Sequence, residues 1–589
     1  MNKKDNNQLE IIRHSFSHVL AAAVKELWPK VKFAIGPAIE NGFYYDFDFS
    51  QDKVGEEALV NIEKKMKHLI KQNLKFEKSE LNVAKALEKE KKAGQVYKAD
   101  LIKDLKSEGN KKVSYYKLGG LEDLCSGPHV ASSGKLNKDA FKLTKLAGAY
   151  WRGDEKNKML TRIYGLAFET KKELDEYLKM LKEAEKRDHR KLGRELGLFM
   201  VSEEVGQGLV MYLPKGAFIY RRLEDYMYEI ERRHGYSFVM TPVLAREEMY
   251  RQSGHLAHYR EDMYSPIDIE GENYFLKPMN CPHHHIMYKN GSKSYRDLPI
   301  RFADFGMIHR YERSGVLTGI IRARNFSQND AHIYCAKEQV KDEFIKVLEL
   351  FDKVYKDFNI NNYWFRLSLP DYNNKEKYGD IENKKMWEYS SKIAREAMNE
   401  HGAKFTEEVG EAAFYGPKID VQIKNVLGKE DTIATMQIDF YMPKRFNLKF
   451  INEQGKEERP VIIHRAIMGS FDRFFAFLIE QTAGAFPIWL APVQIKIISV
   501  GEKHVKYSQK LAKEFEELNF RAEVDDSNET VGNKIRKAVA EKIPYVLVIG
   551  DKEIKSNKLA VRDRGQEKIR EISKDKFVEE ARERIERKK

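Results

Sequence analysis

Two groups of residues carry the side-chain types that bind metals or move protons. In "LEIIRHSFSHVLAAAVKELW", His14 and His18 are four residues apart. They lie within a run whose apolar positions Ile11, Ile12, Phe16, Val19, Leu20, Val24 and Leu27 recur at helical spacing, so both imidazoles share one helix face. Cys125 and His129 have the same separation in "DLCSGPHV", but Gly127-Pro128 breaks a helix and implies a turn. These four groups could hold zinc in a tetrahedron. They could equally line a hydrolytic pocket without metal, using imidazoles to transfer protons. The spacing also suits a partly buried helix histidine beside a small apolar cysteine.

The second group is "KPMNCPHHHIMYKN", where Cys281 precedes His283, His284 and His285. Pro282 implies an extended or turning backbone, in which neighbouring side chains point to opposite faces, so one or two of the four converge. A zinc site on Cys281 therefore needs ligands from elsewhere. His332 in "NDAHIYC" and His464 in "IIHRAIMG" offer them from strand-like segments, though nothing local brings the three together. The adjacent histidines read as packing or surface residues near a pocket.

Arginines form a third pattern. "FADFGMIHRYERSGVLTGIIRARNFSQNDAHIYC" reads as two strands joined by a loop, with Arg310, Arg313, Arg322 and Arg324 around it and Phe326 close by. Arg473 lies in a helix after His464. Guanidinium forks grip phosphate bidentately and a phenylalanine face can stack on a base; ordinary surface ion pairing is the competing reading. No G-x-x-x-x-G-K-[ST] loop and no G-x-G-x-x-G at a strand–helix junction occurs, so a nucleotide here is bound by another scheme.

These residues belong to four blocks. The first, 1–168, opens with the histidine helix and continues into strands such as "GFYYDFDF". The second, 169–196, reads as one long charged helix. It starts at a Thr170/Glu173 capping box and carries a narrow stripe of Leu174, Leu178, Leu181 and Ala184, as in a helix bridging two domains. The third, 197–490, mixes strands and helices and ends near "VIIHRAIMGSFDRFFAFLIEQ". The fourth, 491–589, alternates strand and helix and implies a small α/β domain with a mostly parallel core. The 589 residues are 42% hydrophobic and 33% charged, enough for several solvated domains with real cores. No window of about 18 apolar residues occurs, so no transmembrane helix is expected. No apolar stretch with a cleavage site opens the chain, so no signal peptide is expected either. Three cysteines argue against a disulfide framework and for a cytoplasmic protein. A net charge of +13 makes a polyanionic partner plausible.

Three stretches together resemble the class II aminoacyl-tRNA synthetases: "HGYSFVMTPVL" with Pro242 (motif 1), "FGMIHRYERSG…RARNF" with Arg310 (motif 2), and "GSFDRFFAFLIEQ" with Arg473 (motif 3). "MNCPHH", "RARNFSQNDAHIYC", "AFYGPKID", "HRAIMGSFDRF", "RHSFSH", "DLCSGPH" and "APVQ" resemble the threonyl-type members of that class over nearly the whole chain. The resemblance implies an α+β multidomain protein: an editing domain at 1–168, a linker helix at 169–196, an antiparallel-sheet catalytic domain at 197–490 and an α/β anticodon-binding domain at 491–589. It implies ATP-dependent ligation of L-threonine to tRNA(Thr) through an adenylate, and hydrolysis of mischarged Ser-tRNA(Thr). Cys281, His332 and His464 would bind one catalytic Zn2+ per subunit, and Mg2+ would accompany ATP. Arg310 would hold the α-phosphate and the substrate carboxylate, and Arg473 the γ-phosphate. Phe326 would stack on adenine and Glu312 contact its amino group. Arg322, Gln328, Asp330, Tyr415, Lys418 and Gln437 would complete the site. His14, His18, Asp123, Cys125 and His129 would edit without requiring metal. Asn528, Arg536, Glu553 and Arg562 would read the anticodon. A cytoplasmic homodimer is implied. Many members begin with a small ubiquitin-like domain; with the histidine pair at residue 14, that domain is expected to be missing. Asp431-Thr432 stands where an aromatic-Gln pair is expected. An alanyl- or prolyl-type enzyme, or an inactive RNA-binding paralogue, are the competing readings. The anticodon domain directly after motif 3 disfavours an alanyl-type enzyme. The retained arginines and zinc-ligand candidates disfavour an inactive paralogue.

Overall fold

The histidine-bearing run forms α1 (Lys3–Leu27), and its apolar stripe explains where it lies. Phe16, Val19, Leu20, Ala23 and Val24 are fully buried, packed in one core with Phe43, Tyr45 and Phe47. The computed structural model describes residues 3–50, 52–378, 381–556 and 558–588. The chain divides into two compact units, 1–182 and 183–589.

In the first unit, α1 is followed by β1 (Lys32–Phe33), β2 (Ala38–Ile39), β3 (Gly42–Asp48), α2 (Ala58–Lys71), β4 (Glu77–Asn82), α3 (Val83–Lys92) and α4 (Val96–Ser107). Then come β5 (Lys112–Leu118), β6 (Leu121–Leu124), β7 (Phe141–Tyr150) and β8 (Met159–Ala167). One sheet runs β1-β3-β8-β7, with β2 beside β3, and a second runs β4-β5-β6.

The charged stretch after β8 is not one helix. Its predicted capping box is present: Glu173 N donates to Thr170 Oγ1 at 3.2 Å and Thr170 N to Glu173 Oε2 at 3.1 Å. But α5 (Lys171–Arg187) stops at Asp188, and α6 (His189–Glu195) begins there. Asp188 leaves helical geometry at φ −50°, ψ 120°, and its carboxylate accepts from Arg190 N and Lys191 N. Aspartate favours this cap over a helix interior because its short side chain reaches the unpaired N–H groups. Of the expected stripe only Leu174 is fully buried.

The second unit is built on an eight-stranded sheet. Its parts are α7 (Pro214–Arg233), β9 (Ser237–Phe238), α8 (Cys281–Lys289), β10 (Ile300–His309), β11 (Asn325–Cys335) and α9 (Val340–Asp357). They continue with β12 (Tyr363–Leu369), α10 (Lys384–His401), β13 (Phe405–Val409), β14 (Lys418–Lys424), β15 (Glu430–Asp439), β16 (Val461–Ser470) and α11 (Phe471–Thr482). The sheet order is β9-β10-β11-β16-β15-β14-β12-β13, antiparallel except where β9 meets β10 and β12 meets β13. β16 lies inside the sheet with both faces covered, which is why 461–468 is buried throughout. At its end Gly469 adopts φ +61°, and a Cβ there would come within 2.4 Å of Ile433 O. Only glycine takes that turn into α11 without strain.

The C-terminal part holds β17 (Ile495–Ser499), α12 (Glu502–Glu517), β18 (Ala522–Asp525), α13 (Val531–Ala540), β19 (Tyr545–Ile549), α14 (Asp551–Ser556), β20 (Lys558–Asp563), β21 (Ile569–Ser573) and α15 (Lys574–Glu586). Its sheet order is β18-β17-β19-β20-β21. The first three strands are parallel, as expected, and the last two are antiparallel.

Candidate functional site

The sheet register assembles the second unit's site. Phe326, Gln328, Asp330 and His332 alternate along β11 and so share a face. Across the sheet, His332 pairs with His464, His464 with Gln437, and Gln437 with Lys418. Four residues far apart in the chain thus form one row. Between Gln328 and Asp330 the register with β16 slips through a bulge, so that Gln328 faces Ser470 and Asp330 faces Ala466.

The backbone expectation at Cys281 was wrong. Pro282 does not extend the chain; it occupies the first turn of α8, where a missing N–H costs nothing. Of the two readings of the adjacent histidines, packing holds and surface does not: His284 and His285 are fully buried and His283 nearly so. The helix brings Cys281 over the β11–β16 row, and ligand atoms of Cys281, His332 and His464 lie within 4.8 Å of one another. The His332 and His464 rings meet edge-on at 4.5 Å between centroids. His464 Nε2 is 2.9 Å from Asp439 Oδ2, and the Tyr415 ring stacks on His464 at 4.9 Å. Burial pushes the Cys281 thiol well above its ordinary pKa and the His332 imidazole well below, the latter reinforced by His464 and His284. Neutral imidazoles with a carboxylate behind one of them are the donors zinc prefers, and a bound cation would offset the cost of a buried thiolate. The donor set fits zinc.

Around this cluster, Tyr415 Oη donates to Gln437 Oε1, Asn280 Nδ2 donates to Asp330 Oδ2 at 3.2 Å, and Lys418 Nζ lies 3.1 Å from Asp420. Burial raises the Asp330 carboxyl. Gln328 Oε1 is buried without a hydrogen-bond partner among the described residues, so the pocket offers a polar atom to a ligand. The Arg310 guanidinium lies over the Phe326 ring, 5.3 Å from its centroid, and Nε donates to Pro278 O at 3.3 Å. Arg322 Nε donates to Glu312 Oε2 at 2.8 Å. Arg473, in the first turn of α11, donates to Ile321 O and Thr432 O at 3.4 and 3.3 Å. Burial lowers its pKa, with Asp431 opposing. Arg313 is not part of this cluster: it points to solvent, 81% exposed, beside Glu261. Arg324 donates to the Glu312 carbonyl and shapes the loop.

The first unit brings its four residues together as well. Ligand atoms of His14, His18, Cys125 and His129 lie within 4.8 Å of one another. His14 Nε2 is 3.1 Å from Cys125 Sγ, which is 3.4 Å from His129 Nε2. Residues 125–131 are neither helix nor strand, as the helix-breaking Gly-Pro pair implied. Phe76 stacks on His129 at 4.8 Å. Burial, then the neighbouring imidazoles, push His129 down to about 2. His14 is lowered and His18 lies well below the ordinary range, both chiefly by burial. Burial lifts the Cys125 thiol to about 11. At neutral pH these are uncharged proton acceptors around a neutral thiol. Asp123 lies behind them, accepting from Tyr45 Oη at 2.6 Å and pairing with Lys98 at 2.6 Å, with His18 Nε2 at 3.8 Å. Lys98 and Tyr45 escaped sequence reasoning; a lysine buried to 4% exposure in an amphipathic helix gives no local sign of its carboxylate.

In the C-terminal part, exposed Asn528 follows β18, exposed Arg536 lies on α13, half-buried Glu553 on α14, and half-buried Arg562 on β20 opposite Val546. Gly550 N donates to Glu553 Oε2. Among the described residues no helix is long and apolar enough to cross a membrane.

Three family models match the chain. Residues 264–482 match the "tRNA synthetase class II core domain (G, H, P, S and T)", residues 494–584 an "Anticodon binding domain", and residues 113–164 the "Threonyl and Alanyl tRNA synthetase second additional domain". Among curated relatives, the threonine--tRNA ligase of Halalkalibacterium halodurans is 47% identical over 578 residues, covering 98% of this chain and 88% of the relative. That of Geobacillus sp. (strain WCH70) is 49% identical over 571 residues, covering 97% and 88%. A crystal structure described as the RNA binding domain of threonyl-tRNA synthetase from Cryptosporidium parvum Iowa II superposes with TM-score 0.63 at 36% identity, covering 67% of this chain and 98% of that one.

Proposed function

Because the chain belongs to the threonyl-tRNA synthetases, we propose that the β11–β16 row and Cys281 select threonine through a bound Zn2+, and that the pocket around Asp123 clears serine errors. The chain ligates threonine to tRNA with ATP and edits the product. The observation that carries the zinc reading is the buried Cys281–His332–His464 cluster closing over the cross-strand row.

When bound, zinc supplies an open position for the amino and hydroxyl groups of threonine. Valine has nearly the same shape but no hydroxyl, and an obligatory polar contact rejects it where shape alone would not. Asp330, Gln328, Tyr415 and Gln437 line the amino-acid pocket. Arg310 leaves its resting place on Phe326 to grip the α-phosphate and the carboxylate, freeing the ring to stack on adenine beside Glu312 and Arg322. Arg473 and Lys418 neutralise the remaining phosphate charge together with Mg2+. The threonine carboxylate attacks the α-phosphorus, pyrophosphate leaves, and a tRNA hydroxyl then attacks the adenylate. No protein nucleophile is required; positioning and charge stabilisation lower the barrier.

Serine keeps the hydroxyl and differs by one methyl, worth roughly 1–3 kcal/mol, so discrimination against it needs the second pocket. There His14, His18, Cys125 and His129 act as neutral proton-transfer groups, with Asp123 behind His18. Asn528, Arg536, Glu553 and Arg562 contact splayed anticodon bases through polar and cationic groups. The domains divide at 1–168, 169–196, 197–490 and 491–589. A cytoplasmic homodimer completes the reading; the exposed Met240 and Val243 beside Pro242, and Tyr228 on α7, support a subunit interface there.

Purified protein should catalyse ATP–pyrophosphate exchange strongly with threonine, weakly with serine and not with valine. Equal exchange with valine would remove the zinc-based selection. His14→Ala should keep exchange and accumulate Ser-tRNA(Thr); normal clearance by that variant would refute the editing assignment.

A further inference from the structure

The zinc reading leaves His284 without a role, yet it is completely buried beside the candidate zinc ligands. It lies three residues after Cys281 on α8, on the same helix face. Its Nδ1 is 2.7 Å from Nδ1 of His332, with the rings nearly perpendicular at 86°. Two imidazole nitrogens that close share one proton, so one donates and the other accepts.

We propose that His284 is a positioning residue that locks His332 in the tautomer able to bind metal. The proposal rests on the zinc reading above and deepens it. His332 Nδ1 is occupied by His284, which leaves Nε2 as the atom that would hold an ion. A neutral ligating imidazole carries its proton on the nitrogen away from the metal. His332 therefore donates from Nδ1, and His284 accepts at Nδ1.

That assignment places the His284 proton on Nε2. This atom is buried and has no hydrogen-bond partner among the described residues, but it faces Asp304 Oδ2 at 3.7 Å. An N–H directed at a carboxylate is attracted, whereas a lone pair there would be repelled. The same oxygen accepts from Thr241 Oγ1 at 2.7 Å, and Thr241 in turn accepts from the buried Lys277 ammonium at 2.6 Å. Lys277 Nζ itself lies 4.0 Å from Asp304. Lys277 and Thr241 thus fix the Asp304 carboxylate by hydrogen bonds, its charge favours the His284 proton on Nε2, and the Nδ1 pair passes that orientation to His332. Asp439 serves His464 in a parallel way, so both imidazole ligands are held from behind.

The test compares His284→Leu, which keeps bulk and removes the acceptor, with His284→Asn, whose Oδ1 can accept near the position of Nδ1. The readouts are the rate of zinc loss to a chromogenic chelator, the visible spectrum of the Co2+-substituted protein, and KM for threonine against KM for ATP. His284→Leu should lose zinc about 10- to 100-fold faster, with an altered cobalt spectrum and a raised KM for threonine but not for ATP. His284→Asn should recover most of the retention. Wild-type zinc retention and an unchanged cobalt spectrum in the leucine variant, or equal defects in both variants, would overturn the proposal. Should the leucine variant fail to fold, Asp304→Asn decides: faster zinc loss supports the line, and an unchanged rate refutes it. If the unaltered protein binds no zinc, the underlying zinc reading fails instead.

Discussion

His129 links the first unit's chemistry to its stability. Its imidazole is held at about 2, while an unfolded chain returns it to the ordinary value near 6.5. Between these values the unfolded chain binds a proton that the native pocket refuses. The stabilising term is complete above about pH 6.5 and is lost as pH falls through that window, at up to about 1.4 kcal/mol per pH unit. Urea unfolding at pH 7 and pH 5 should show a smaller loss of stability for His129→Gln than for the unaltered chain. Parallel losses would mean that His129 is not buried neutral. At this scale the residue types were legible from the sequence itself, and their meeting only through the resemblance. Cys281, His332 and His464 were identifiable as donors, but no local spacing joins them. Asp439 and Lys98 carry no local mark at all, because a polar residue at a core position becomes meaningful only beside its partner.

Elements explain both the successes and the errors. The α1 stripe was readable because its apolar period is long and regular. The alternation Phe326, Gln328, Asp330, His332 was visible in "NFSQNDAHIYC", but the pairing of His332 with His464 depends on register, which is set by long-range contacts. Pro282 misled because a proline breaks a helix interior yet suits its first turn. Asp188 misled in the opposite sense: among charged residues it looked like one more helix surface position, and it is the cap dividing α5 from α6. Asp188→Ala should therefore destabilise the second unit by roughly 0.5–2 kcal/mol in urea unfolding. No loss would show that the break does not depend on that carboxylate.

On the scale of the whole molecule, each pocket lies entirely within one of the two compact units. The fragment 183–589 should retain threonine-dependent exchange and lose clearance of Ser-tRNA(Thr). Loss of exchange by a folded fragment would show that activation requires the first unit. The motifs were legible from pattern, whereas the final strand and helix, β21 and α15, went unread in a run dominated by charge. The central claim is that threonine is recognised through a metal held by Cys281, His332 and His464. Cys281→Ser tests it most directly, with zinc content and threonine-dependent ATP–pyrophosphate exchange measured on the same preparation. The account predicts that both fall together while the fold, followed by circular dichroism, is retained. Full threonine activation by a folded, zinc-free variant would contradict it.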